Sequence, residues 1–162
     1  DSQDICFVPD GDYAGYIERN AGREIPEGNF VTVDGTVLGR HKGITHYTVG
    51  QRKGLGLALG HPVFALEIRP GANEVVVGTH EESLVDTLRA NRLNFMAMED
   101  VAGPLRVFAK IRYNHKGAWC TVERTGADEV CCTFDEPQRA VTPGQAVVFY
   151  DGDHVAGGGT IL

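Results

Sequence analysis

Four stretches of this 162-residue chain have residue types suited to chemistry. The first surrounds Cys6, in Asp1-Ser2-Gln3-Asp4-Ile5-Cys6-Phe7-Val8-Pro9. A thiol there is either a strand cysteine packed between Ile5 and Phe7 or a nucleophile and sulfur carrier. The second role needs a nearby cation or helix N-terminus to lower its pKa, and access to solvent. The second stretch runs from Gly39-Arg40-His41-Lys42-Gly43 through Tyr47-Thr48-Val49-Gly50-Gln51-Arg52-Lys53-Gly54-Leu55-Gly56. Glycines let backbone amides approach phosphate, and Arg and Lys add charge. The spacing matches neither a Walker loop nor a GxGxxG fingerprint, so a glycine-rich surface loop is the simpler expectation. His41 and His46 are candidate acid–base groups or structural side chains. The third is Arg106, Phe108, Lys110 and Arg112, at alternate positions, with Tyr113-Asn114-His115-Lys116 following as a polar turn. Cations for phosphate and an aromatic ring for base stacking are the ingredients of an RNA-binding face. The fourth is Asp135 to Gln145, expected to be a loop held by Pro137, Pro143 and Gly144. Gln145 would open the next strand with an amide able to read a base edge or cap a turn.

Cys120, Cys131 and Cys132 lie in strand-like runs, and free cysteine commonly packs as a small hydrophobe. No Cys or His pair has zinc-site spacing. So few cysteines are expected to be free thiols of a reducing, cytoplasmic protein rather than a disulfide scaffold. The net charge of −7 argues mildly against nucleic acid, but its distribution argues the other way. Residues 40–53 carry four basic residues and no acid, and so do residues 101–119. Local basic surface, not net charge, is the footprint of nucleic-acid contact. No apolar run approaches the roughly 18 to 20 residues needed to cross a bilayer, and no membrane partner is expected.

The elements that position these residues read as mainly β. Hydrophobic periodicity is two rather than 3.6 over 63–68, 74–78, 105–113, 118–124, 129–134, 145–150 and 154–161. Arg69-Pro70-Gly71-Ala72-Asn73 carries hairpin turn chemistry. Strands spaced about ten residues apart with Gly, Asp and Pro between them suggest a small antiparallel barrel or sandwich. One short helix is expected within 10–20 and one turn within 47–52. Gly157-Gly158-Gly159 marks a bulged or closely approached last strand. The expected organisation is a β-rich unit over residues 1–82 and a barrel-like unit over 88–162.

Taken in order, Ser2–Phe7, His41–Gly43, Tyr47–Gly56, Lys110–Tyr113, Phe134–Pro137 and Val141–Tyr150 resemble the C-terminal half of the tRNA-specific 2-thiouridylase (MnmA/TrmU) family. The resemblance covers essentially the whole chain. It implies a small β-rich central domain followed by a C-terminal β-barrel that contacts the anticodon region of tRNA. It further implies that Cys6 is the persulfide-bearing catalytic cysteine, loaded by a sulfur-relay protein or a cysteine desulfurase. Arg112, Tyr113 and Gln145 match positions that touch tRNA, with Lys110 and Arg106 on the same basic face. The family's N-terminal ATP-pyrophosphatase domain binds ATP with Mg and activates C2 of the wobble uridine as an adenylate. It also holds a second cysteine, which forms a disulfide with the Cys6 equivalent. Its Ser-Gly-Gly-x-Asp-Ser loop does not occur in this sequence, and the chain lacks an initiator methionine. A piece of a longer protein, inactive by itself, is therefore expected. The competing readings are a stand-alone RNA-binding β module with an inert Cys6, and a Cys/His hydrolase pairing Cys6 with His41 or His46.

Overall fold

In a computed structural model, residues 8, 12–22, 25–96 and 101–162 are described, so Cys6 lies outside the described residues. The chain divides into two compact units, one ending at Ser83 and the other beginning at Leu84. Among the described residues the fold is mainly β, with one α-helix.

In the first unit, α1 (Tyr13–Ala21) starts at Asp12, whose carboxylate accepts from the Gly15 N–H at 3.0 Å, and ends at Gly22 in the left-handed region. Strands β1 (Gly28–Val31), β2 (Val37–His41), β3 (Phe64–Arg69) and β4 (Glu74–Gly78) form one sheet in the order β2-β1-β4-β3. β1 and β4 run parallel and the outer pairs are antiparallel. The sheet buries Phe30, Val75, Val77 and Ala65 against Tyr47, Leu55 and Val63.

The second unit is a closed six-stranded barrel. Its strands are β5 (Leu84–Phe95), β6 (Leu105–Lys110), β7 (Ala118–Gly126), β8 (Glu129–Arg139), β9 (Ala146–Asp151) and β10 (His154–Ile161). They close in the order β10-β5-β8-β7-β6-β9, every neighbouring pair antiparallel. Closure leaves no strand edge to protect. Alternation fills the interior with Val107, Ala109, Val122, Val130, Val147 and Phe149. Cys120 and Cys132 are fully buried there as free thiols, whereas the adjacent Cys131 falls on the opposite face and is half-buried. The triple glycine lies where β10 leaves no room for side chains against its neighbours. A Cβ would come 2.7 Å from the Asn94 carbonyl oxygen at Gly157, 2.4 Å from that of Val147 at Gly158, and 2.7 Å from that of Asn91 at Gly159.

Three sequence expectations need correction. Gly39 to His41 is not part of a surface loop but the end of β2. The helical turn expected within 47–52 lies earlier, as a single 3-10 turn over Ile44–His46. The stretch from Asp135 is not loop at its start, because β8 continues through Pro137 to Arg139. Proline is tolerated there because the β5–β8 register slips between Val85, opposite Gln138, and Thr87, opposite Thr133. The irregular stretch does not require the missing N–H.

Candidate functional site

Part of the glycine-rich stretch is seated against β3. The Gly50 N–H donates to the Ala65 carbonyl at 2.7 Å, and the Ala65 N–H donates to Gln51 O at 2.9 Å, which seats the stretch along β3. The Gln51 side chain is also occupied, accepting from Thr48 N–H and donating to Lys53 O. His41 is 2% exposed, with its ring edge-on to Phe30 and Tyr47 at 5.5 and 5.6 Å between centroids. Its Nδ1 accepts from the Gly43 N–H at 3.0 Å, and its Nε2 donates to the Asn73 carbonyl at 3.2 Å. That pairing requires the neutral Nε2–H tautomer. Burial, and secondarily the Arg40 charge, hold its pKa below the usual histidine value. Asn73 is itself a clamp. It sits at φ 54°, and its amide donates to the carbonyls of Pro26 and Glu27 at 3.2 and 3.0 Å. His41 is therefore a structural side chain with both ring nitrogens used.

The basic candidates of β6 and the turn after it lie on the outside of the barrel and around one of its rims. Register fixes that rim. Lys110 of β6 lies opposite Val148 of β9, Leu84 of β5 opposite Arg139 of β8, and Thr160 of β10 opposite Ala146. Residues 111–117 and 140–145 thus emerge at the same end. β6 stops at Lys110, so Tyr113 is no longer bound by the alternation and stands 84% exposed. Arg112 donates from its guanidinium to the Arg139 carbonyl at 2.9 Å. Partial burial, then the Arg139 charge, lower its pKa from the usual arginine value. Gln145 is exposed, and its backbone carbonyl accepts from Ile161 N–H at 2.8 Å, which ties the start of β9 to the end of β10.

The other two basic candidates are engaged with neighbours. The Arg106 guanidinium makes two contacts with the Asp135 carboxylate, at 3.0 and 2.5 Å, and lies 5.4 Å from the Trp119 ring centroid. The hydrogen bond and charge of Asp135 raise the arginine's pKa, and the arginine lowers that of Asp135. The Lys110 ammonium lies 5.6 Å from the Tyr150 ring centroid.

Register also reveals something the sequence reading missed. Phe108 is directly opposite Tyr150 on one side and Trp119 on the other, so three aromatic residues form a row across β9, β6 and β7. The visible signal was alternation in residues 118–124, which places Trp119 on the outward face with Thr121 and Glu123. Beyond Trp119, the 111–117 turn and β8 border an open cavity of about 560 Å³ lined by Phe108, Arg112, His115, Trp119, Glu136 and Gln138 among others. His115 Nε2 donates to Gln138 Oε1 at 3.0 Å, and the Gln138 amide donates to Glu136 O at 2.7 Å. Burial is the main cause of a lowered His115 pKa. Among the described residues no cluster of His, Cys, Asp and Glu could hold a metal, and no helix is long and apolar enough to cross a membrane.

Comparison with known proteins matches both units. Residues 15–79 match a family described as a tRNA methyl transferase PRC-barrel domain, and residues 85–161 one described as an aminomethyltransferase β-barrel domain. Over 162 residues the chain is 60% identical to the tRNA-specific 2-thiouridylase MnmA of Lachnoclostridium phytofermentans, covering 100% of this chain and 45% of that protein. It is 54% identical over 166 residues to the protein of the same name from Koribacter versatilis, and 53% over 161 residues to that from Carboxydothermus hydrogenoformans. In both, 99% of this chain is covered, and 45% and 44% of the relative. The chain spans somewhat less than half the length of the relatives it matches.

Proposed function

Because this chain belongs to the tRNA-specific 2-thiouridylase family, we propose that it supplies the sulfur-carrying cysteine and the tRNA-holding barrel of an enzyme that replaces the C2 oxygen of the wobble uridine with sulfur. In this reading the first unit carries Cys6, and the barrel contacts the anticodon region of tRNA. Arg112, Tyr113 and Gln145 grip the RNA at the rim, with Lys110 beside them on the barrel's outer face.

Cys6 receives its extra sulfur from a sulfur-relay protein or a cysteine desulfurase. A persulfide is a good nucleophile at neutral pH, and a thiolate is a suitable leaving group for sulfur transfer. The terminal sulfur bonds to C2, directly or after release as hydrosulfide, while the activated oxygen leaves. A second cysteine outside this chain takes the sulfur–sulfur bond, ending as a disulfide with Cys6. An external thiol must reduce that disulfide by two electrons before the next cycle. ATP with Mg supplies the activation of the leaving oxygen. The residues of this chain do not fit that cofactor, having neither the Ser-Gly-Gly-x-Asp-Ser loop nor, among the described residues, a metal-binding cluster. No step through ATP is assigned to them, and the chain by itself is expected not to thiolate tRNA.

The observation that carries the RNA half of this reading is the emergence of Arg112, Tyr113 and Gln145 at one barrel rim. The test is retention of tRNA by the chain as a function of salt. Arg112→Ala should weaken binding and lower the salt slope by about one counterion, the signature of a lost phosphate contact. Because Arg112 also bonds the Arg139 carbonyl, Arg112→Lys serves as a control that keeps the charge. An unchanged salt slope in Arg112→Ala would remove Arg112 from the RNA-binding face.

A further inference from the structure

We infer that the cavity beside Trp119 is a binding pocket for one unpaired nucleobase of an RNA strand. The inference rests on the reading of the barrel as an RNA-binding surface and names a base site that shares Arg112 with it but not Tyr113 or Gln145.

Three observations carry it. The first is the wall. Trp119, the second residue of β7, is 49% exposed with the Arg106 guanidinium 5.4 Å from its ring centroid, and its ring meets Phe108 edge-on at 5.5 Å between centroids. An aromatic surface left open to solvent at the edge of a cavity is the platform on which a base stacks, whatever its identity. Phe108 is kept in place by the turn. A Cβ on Gly117 would lie 2.0 Å from its ring, and Gly117 has φ 90°, so glycine is required there for the turn to close over Phe108.

The second is size and polarity. About 560 Å³ is ample for a base with its ribose, and the polar lining converges from two elements, His115 and Asn114 from the turn and Gln138 and Glu136 from β8. Hydrogen bonds among His115, Gln138 and the Glu136 backbone hold the wall rigid before any ligand arrives. The third is charge. Arg112 and Lys116 stand at the cavity as sources of phosphate contact, and Asp135 is neutralised by Arg106. The exposed Glu136 carboxylate is left to accept from an exocyclic amine, as carboxylates do with cytosine. The pocket therefore favours adenine or cytosine over uracil.

Trp119 is the only tryptophan of the chain, so its emission reports on this cavity alone. The experiment titrates the chain with single-stranded adenylate, cytidylate and uridylate hexamers, with polyphosphate of matched charge as a control. Saturable quenching by adenylate and cytidylate, weaker quenching by uridylate and none by polyphosphate is expected. Trp119→Leu should lose roughly 5- to 150-fold in hexamer affinity, the range that one stacked base represents, and Trp119→Phe should recover most of it. Equal quenching by polyphosphate, or hexamer binding without any change in Trp119 emission, would overturn the pocket. So would failure of all hexamers to bind. Retention of folded tRNA, measured separately, decides the reading on which the inference rests. tRNA bound equally well by wild type and Trp119→Leu would leave that reading standing and overturn the pocket.

Discussion

Replacing His41 separates a structural histidine from a catalytic one. Its ring fills the space between Phe30 and Tyr47, its Nδ1 is the partner of the buried Gly43 N–H, and its Nε2 donates to the Asn73 carbonyl. His41→Phe keeps the ring volume but orphans the Gly43 N–H, a loss of about 1–3 kcal/mol. The Asn73 carbonyl loses less, because it still accepts from Asn29 N–H at 3.3 Å. His41→Ala adds a cavity between two aromatic rings and should cost about 3–5 kcal/mol in total. The sign of the pH dependence follows from the lowered pKa. Above the unfolded value of 6.5 the imidazole is neutral in both states, and its contribution is complete. As pH falls below that value, the unfolded chain takes up a proton that the folded unit refuses. Stability then drops by up to about 1.4 kcal/mol per pH unit until the folded pKa is reached. The cost of His41→Phe should therefore shrink between pH 7 and 5. Amide exchange in β1 and β4 reports the local unfolding free energy of this unit. A cost for His41→Ala below about 0.5 kcal/mol, or a His41→Phe cost that does not shrink with acid, would refute the reasoning.

Two further outcomes follow from the barrel. Arg106→Ala should weaken tRNA binding less than Arg112→Ala in the same retention assay, because Asp135 already neutralises the Arg106 charge; the reverse order would show that the ion pair opens on binding. Cys120 and Cys132 are 0% exposed, and the contact with Cys120, then burial, pushes the Cys132 thiol up, so neither should react with a thiol reagent until the barrel unfolds, whereas half-buried Cys131 should react in the folded protein. Peptide mapping of the labelled cysteines checks this.

How much was legible in the sequence depended on whether period two survived. It did in β6, which alternates between buried and outward residues; β4 and β10 coincide with the strand-like runs 74–78 and 154–161 in their bounds but not in alternation, β4 being buried from Val75 to Gly78 as an inner strand, and β3 begins one residue into its run and ends one beyond it. β5 escaped because two irregularities break its pattern, the slip after Val85 and Arg92 at φ 52°, where Asp128 accepts from the N–H groups of Arg92 and Leu93. β2 escaped because Gly39, Arg40 and His41 have the composition of a loop, and only the fold shows His41 turned into the core. The cationic face of β6 was visible as alternation. What neutralises or positions it was not, because Asp135 is 29 residues from Arg106 and the Arg139 carbonyl 27 from Arg112. Such partners are set by strand order, and the order β8-β7-β6-β9 is a tertiary fact. The aromatic row of Tyr150, Phe108 and Trp119 was hidden for the same reason.

The most direct test of the central claim is sulfur loading of Cys6. The protein is incubated with a cysteine desulfurase and cysteine, digested without reductant, and its cysteine peptides weighed. The account predicts one added sulfur atom on the Cys6 peptide, removed by dithiothreitol and absent in Cys6→Ser. A Cys6 peptide that gains no sulfur, or gains no more than the half-buried Cys131 does, would contradict it.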